Sequence, residues 1–414
     1  MPVSEKLLPD LLLFSRGPQP IGMAQFEVLV RAKLPMKRKT YLRAVVLIAL
    51  LSAIAGWQIK REYRPAVLNP GARLYAYVAN AGDGTLSVVD LIALKTIATI
   101  SVGPLPSGLH VLGTRKELWG VSGSPGGSGD TGYVWVINAE TGRVSAHIPV
   151  GPLSAGLELS SDRQRAYAVS SGSNQVVRID TATRQITARA RTGRHPWVAR
   201  LTPNGRLLLV ANRDDSTLGI FDAQTLAPVA TIPVAEHPDQ VVVLPDSSVA
   251  FVSAADARKI SAVDLKRNVL LTNLQLGGAP HAMILKPDGG ELYVTVPDLH
   301  AIEIINTSTT EIAESMLVGL APETGVLSAN ADSLYLSDSA AGRILPIAIN
   351  MRHLGQPIPV GREPVACALD ASGDLLLVAN QDSNDLAVIR LRTSSLLTLI
   401  PVGAHPTDIA SLLF

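Results

Sequence analysis

Residues 192–235 read "TGRHPWVARLTPNGRLLLVANRDDSTLGIFDAQTLAPVATIPVA", and this unit decides the fold. Turn chemistry separates its short apolar runs, which are rich in Val, Ile, Leu and Ala, so the unit reads as four strands. "TPNG" at 202–205 supplies a tight hairpin whose glycine accepts a positive φ. "FDAQT" at 221–225 puts Asp222 where its carboxylate can hold the amides of the turn that follows. The opening turn at Gly193 then returns at Ala235, Gly277, Gly319, Gly361 and Gly403, every step being forty-two. Pro196, Pro238, Pro280, Pro322, Pro364 and Pro406 keep the same register. Working backwards, Gly151 lies one such step before Gly193, and Gly103 lies forty-eight before Gly151, the excess matching "SPGGSGDTG" at 124–132.

A period of this length marks a repeat architecture. Four-stranded sheets of this size need both faces covered, and stacking them around an axis covers them. The expected fold is therefore all-β, a β-propeller of four-stranded blades. The final turn is followed by "TDIASLLF", one first strand's worth of chain, while 74–103 supplies strands two, three and four of a unit. The C-terminal strand is thus expected to pair with the N-terminal blade, giving eight blades. Seven is the alternative if "RPAVLNPG" at 64–71 supplies its own first strand. The slot of Asp222 is refilled by Asp90, Asn138, Asp180, Asp264 and Asn306, and one per unit reads as turn capping rather than a metal array.

Composition agrees with a turn-rich, well-buried β protein: 47% of the 414 residues are hydrophobic and 17% charged, with 33 glycines and 28 prolines. A net charge of +1 and 4% aromatics argue against a nucleic-acid groove. The single cysteine, Cys367, excludes an intrachain disulfide and a CxxCH haem attachment, and "PVACALD" reads as a buried packing site. No GxSxG, HExxH, P-loop or EF-hand pattern occurs. At the N-terminus, cationic residues at 37–39 and Arg43 precede an apolar run from Ala44 to Trp57 with "AIA" at 53–55. Residues 36–57 therefore read as a signal peptide or an uncleaved signal anchor. Residues 58–73 read as a linker and 74–414 as the propeller; 1–35 stay unassigned, as a mis-start before Met36 or a cytoplasmic tail. The propeller is expected on the extracytoplasmic side, with membrane contact only through the N-terminal segment.

"YVANAGDGTLSVVDLIALKTIATISVG" at 77–103 resembles the YVTN-type β-propeller repeat. "VANRDDSTLGIFDAQTLAPVATIPV" at 210–234 and "VANQDSNDLAVIRLRTSSLLTLIPVG" at 378–403 look like further copies. The resemblance covers about 74–414 and implies an exported propeller, often a binding scaffold. More distantly, the chain is similar to lactonase propellers and to the eight-bladed d-type haem domain of cytochrome cd-type nitrite reductases. Fold likeness alone does not carry an activity.

The recurring turn delivers one residue per blade to one mouth of the channel. The position before the marker proline holds His195, His237, Glu363 and His405, and neighbouring positions add Arg194, Trp197, Glu236, Asp239, His281, Glu323 and Arg362. Histidine at an exposed turn can simply cap a carbonyl. Imidazoles converging from separate blades can instead hold a transition metal or haem, for which His195, His237 and His405 are the candidates. Glu323, Glu363 and Arg362 are available for acid–base work on a lactone. The sequence reads first as a non-enzymatic binding or scaffold module that takes an unknown protein or small ligand at the mouth. No cofactor is predicted on that reading; the alternative is a haem- or metal-binding, or lactone-hydrolysing, propeller.

Overall fold

The computed structural model describes residues 73–123, 131–152 and 154–413, which belong to the unit 68–414. The signal-like segment 36–57, residues 1–35, and nearly all of the 58–73 linker lie outside these residues. Among the described residues no helix is long and apolar enough to cross a membrane.

Eight sheets form an eight-bladed propeller, each an antiparallel meander of four strands apart from a split outer strand in one blade. Blade 1 combines Leu74–Asn80, Thr85–Asp90 and Lys95–Ser101 with the C-terminal strand Pro406–Leu413. That terminal strand pairs with Leu74–Asn80 along its length, from Leu74 opposite Leu413 to Asn80 opposite Pro406. The closure expected from the chain ends is present, and the seven-blade alternative is excluded. Blades 2 to 8 open with the innermost strands Pro106–Leu112, Ser154–Leu159, Pro196–Leu201, Gln240–Val243, Met283–Leu285, Pro322–Leu327 and Pro364–Leu369. In blade 7 the outermost strand is broken into His353–Leu354 and Ile358–Pro359, both pairing with Arg343–Ala348.

The core is divided among the blade junctions rather than gathered at one centre. Tyr77 and Leu86 of blade 1 pack with Leu118 and Trp135 of blade 2, and an equivalent cluster fills each of the other junctions around the ring. This follows from the pattern of the second and third strands, which are apolar on both faces and buried on both. The outer strands alternate, as in Gln185–Arg191, because only one face is covered. Polar links cross the junctions too. Tyr77 Oη donates to the Ala139 carbonyl of the next blade at 3.1 Å, and Tyr167 Oη to Ala223 at 2.7 Å.

The repeated aspartates and asparagines act as read from the sequence. Asp222 Oδ1 accepts the amides of Gln224 (3.0 Å) and Thr225 (2.8 Å), and Asp90, Asn138, Asp180, Asp264 and Asn306 do the same in their own blades. Blades 7 and 8 carry Ala348 and Arg390 in this slot. There the turn is made by the 3-10 segments Ile349–Met351 and Leu391–Thr393 instead, closed by a left-handed residue. Cys367 sits on the innermost strand of blade 8 and packs against the core between blades 7 and 8, with the residue as a whole half-buried and burial pushing its thiol up to about 12.

Candidate functional site

The marker turns and the loops between second and third strands share one face. Arg213 N–H donates to the His195 carbonyl (3.0 Å), Gln381 to Glu363 (2.8 Å) and Ala81 to His405 (2.9 Å), so each loop sits on the turn of its own blade. The glycine of the turn is required by close approach. A Cβ on Gly193 would lie 2.8 Å from Cγ of Asn212, on Gly361 2.8 Å from Cβ of Asn380, and on Gly403 2.5 Å from Nδ2 of Asn80. These asparagines end the "VAN" strands and are fully or almost fully buried. Asn212 Oδ1 accepts the Gly193 amide at 3.1 Å.

The residue before the marker proline takes a left-handed conformation: φ is 50° at His195, 55° at His237, 54° at Glu363 and 50° at His405. For a non-glycine residue this costs roughly 1–3 kcal/mol and persists only where the surroundings impose it. Here His195 N–H donates to Asn174 Oδ1 of the preceding blade (2.9 Å) while its carbonyl is held by Arg213 of its own. His405 is held likewise by Asn384 (2.8 Å). A bulge follows: Trp197 is skipped in the pairing of Pro196 with Asn212 and Val198 with Ala211, which re-aims its ring, 44% exposed.

Blades 4 and 5 carry a continuous side-chain network on this face. His195 Nδ1 lies 3.6 Å from Asp214 Oδ2. Its ring is tilted 42° to Trp197 with centroids 5.9 Å apart, and Arg213 Cζ stands 5.7 Å from the Trp197 centroid. The Arg213 guanidinium reaches Asp256 Oδ2 (3.3 Å), and the same oxygen lies 2.9 Å from His237 Nδ1. The marker turns alone do not single out Asp214, Asp256 and Arg213. A signal was available nonetheless: Asp214 and Asp256 are one repeat apart, and each stands nineteen positions after its histidine.

The remaining candidates are dispersed. Arg194 pairs with Asp215, whose carboxyl is held below the usual range by the Arg194 amide and guanidinium. Arg362 donates to the Asp382 carbonyl (3.1 Å). Asp239 serves its own blade, taking the Ser253 hydroxyl and the Ala255 amide (3.2 Å). His281 Nδ1 lies 3.1 Å from the Glu323 carbonyl and so links blade 6 to blade 7. Such links recur along the innermost strands: His110 Nε2 to the Leu157 carbonyl (2.7 Å), and the Leu109 amide to Asp408 Oδ2 (2.9 Å). Glu363 is hydrogen-bonded to Asp382, which with burial and Glu323 raises its pKa against the opposing His405. His405 enters blade 1, four blades around the ring from His237, so it stands apart from the other two metal candidates, His195 and His237, which sit on adjacent blades. Among the described residues no three His, Cys, Asp or Glu side chains gather as a metal-holding group. His300 is a rim histidine outside the register of the marker turns; it closes the Pro297–Leu299 turn and faces the Leu320 carbonyl.

The opposite face has a polar cleft of about 390 Å³ between blades 3 and 4, lined by Asp162, Arg165, Arg206 and Asp222 among others. Its carboxylates already have partners. Asp162 is held down to about 2 by the Ser160 hydroxyl, the Gln164 amide and Arg165, and Asp222 caps its turn. The rim network is the better site.

The family model described as the cytochrome D1 heme domain matches residues 128–284. This stretch is less than half of the chain, but it holds His195, Trp197, Arg213, Asp214, His237 and Asp256. Glu323, Glu363 and His405 fall outside it. No curated protein matches the sequence. Among solved structures, dihydro-heme d1 dehydrogenase NirN in complex with DHE is similar with a TM-score of 0.67 at 15% identity, over 81% of this chain and 74% of that one. The hydrazine synthase of Kuenenia stuttgartiensis is similar at 0.53 and 18%, over 66% and 92%. A functionally unknown protein from Desulfotomaculum acetoxidans DSM 771 is similar at 0.53 and 13%, over 82% and 98%. At these identities the structural likenesses show the fold. These likenesses do not show the YVTN-type repeat family.

Proposed function

We propose that this protein is an exported propeller that binds a haem-type tetrapyrrole at the mouth of its channel, on the arc formed by blades 4 and 5. The observation that carries this reading is a coincidence of place: the stretch resembling the cytochrome D1 heme domain contains both aspartate-facing histidines. The structural likeness to dihydro-heme d1 dehydrogenase NirN, solved in complex with DHE, supports it.

The residues present fit such a group. Asp256 engages Nδ1 of His237 and leaves Nε2, the other ring nitrogen, as the donor available to a metal. On that arc Trp197 offers an exposed aromatic face, as a flat macrocycle requires. Arg194 and Arg213 give this arc cations for carboxylate substituents. Bound haem would supply a redox-active iron and a conjugated plane. The chain's own part is to orient the imidazoles, offer the Trp197 face and hold the guanidiniums in reach. The scaffold reading used the same mouth, and the tetrapyrrole reading gives that mouth a ligand class. Residues 36–57 then deliver the propeller to the extracytoplasmic side.

The test is a spectroscopic titration of the full chain with ferric haem b and with haem d1. One-to-one binding with a shifted Soret band is expected for at least one pigment, weakened tenfold or more in a His195→Ala/His237→Ala variant. Wild-type protein that shifts neither spectrum, or a double variant that binds as well as wild type, overturns the reading.

A further inference from the structure

In four blades an aspartate stands nineteen positions after the residue that precedes the marker proline: Asp214 after His195, Asp256 after His237, Asp298 after Ala279 and Asp382 after Glu363. The fold brings both members together on the rim, and the chemistry then depends on the partner. Asp298 accepts the Ala279 amide at 3.2 Å. Asp382 meets a second carboxyl on Glu363. Asp214 and Asp256 face imidazoles.

Asp256 differs from the others in a further respect. Its Oδ2 takes His237 Nδ1 of its own blade at 2.9 Å and the Arg213 guanidinium of the preceding blade at 3.3 Å. Arg213 in turn covers Trp197, against which the His195 ring lies. One carboxylate oxygen therefore ties the two histidine-bearing rim segments together. At Asp214 the equivalent separation is 3.6 Å, too long for a hydrogen bond.

We propose that Asp256 is a positioning residue that joins the two rim histidines into one unit, fixing His237 with its proton on Nδ1 and holding Arg213 across Trp197. The physical basis is twofold. A carboxylate facing Nδ1 selects the Nδ1–H tautomer, leaves the lone pair on Nε2 and raises the basicity of that nitrogen. A guanidinium fastened at one end also keeps its plane near the indole, where a free, exposed arginine would sample many rotamers. That Nε2 is wanted for a metal rests on the tetrapyrrole reading; the tautomer and the Arg213 placement do not.

The experiment separates the two. Nitrogen-15 spectra of the histidine side chains are recorded on the full chain without ligand, at about pH 8, where imidazoles are neutral. His237 is expected as the Nδ1–H tautomer in wild type, as the Nε2–H tautomer in Asp256→Ala, and restored in Asp256→Glu. Asp214→Ala should leave His237 unchanged. Trp197 fluorescence should also shift in Asp256→Ala as Arg213 is released. A wild-type His237 protonated on Nε2, or a tautomer indifferent to Asp256→Ala, overturns the proposal. Ferric haem is then added, and Asp256→Ala is expected to weaken binding about 10- to 100-fold. Wild-type protein that shows the expected tautomer and binds neither haem b nor haem d1 supports the positioning role and overturns the tetrapyrrole reading.

Discussion

Glu363 fills in blade 8 the left-handed slot that His195 and His237 fill in blades 4 and 5, and what it meets there is an acid rather than an acceptor for an imidazole proton. Two adjacent carboxyls resist carrying two charges, so Asp382 raises Glu363 above its ordinary range, with burial adding to the effect. The sign follows from linkage. A carboxyl whose pKa is higher folded than unfolded stabilises the protein below about pH 4, and that contribution disappears as pH rises through the folded value. A glutamine in its place would donate to Asp382 at any pH. Melting temperatures measured between about pH 4 and 7 should therefore show Glu363→Gln gaining on wild type as pH rises. A difference that stays constant across that range would remove the shared-proton account. At this scale the sequence exposes which residues reach the rim, because the repeat register names them. It conceals their company: the same slot is an aspartate-held base at His237 and half of an acid pair at Glu363.

The turn that defines the register works as one element with the strand end beneath it. The "VG" of the turn and the "VAN" of the second strand are both visible as recurring patterns, yet nothing local says that they touch. Gly193 lies on Asn212 because the innermost strand hairpins straight back to the rim, and the buried asparagine leaves no room for a methyl group. Gly193→Ala is expected to destabilise the protein by about 1–3 kcal/mol through overpacking, since the buried Asn212 side chain and the Asp215 carboxylate are the groups that must move. Urea denaturation measures this, and a loss below about 0.5 kcal/mol would show that the turn relaxes freely. Tilting this turn also moves His195, so on the proposed tetrapyrrole reading weaker haem binding should accompany the loss of stability.

Closure belongs to the whole molecule. The terminal strand contributes Ala410 and Leu412 to the junction of blades 1 and 2, and Ile409 to the junction of blades 8 and 1. Its Asp408 also accepts the Leu109 amide of blade 2. Removing residues 406–414 strips one sheet of its innermost strand and opens two cores together. Re-exposing Ile409 and Leu412 alone costs about 3–6 kcal/mol, before the lost ladder is counted. The shortened chain should melt several degrees lower and lose the single cooperative transition expected of a sealed ring. Calorimetry that finds the intact transition unchanged would mean that the terminal strand does not close the circle.

Period, strand count and ring closure were legible because they depend on spacing along the chain, and so regular a spacing with turn chemistry at each step admits few architectures. The capping aspartates were legible for the same reason, since each acts on amides close to it in sequence. The site was legible only in outline. Its register could be counted, but the pairing of Asp256 with both His237 and Arg213, and the separation of His405 from them, depend on which blades stand side by side. The Arg213 contact acts across the gap between two sheets and the His237 contact between distant loops of one blade; in both, backbone geometry chooses the side chain's partner, and only the folded ring sets it.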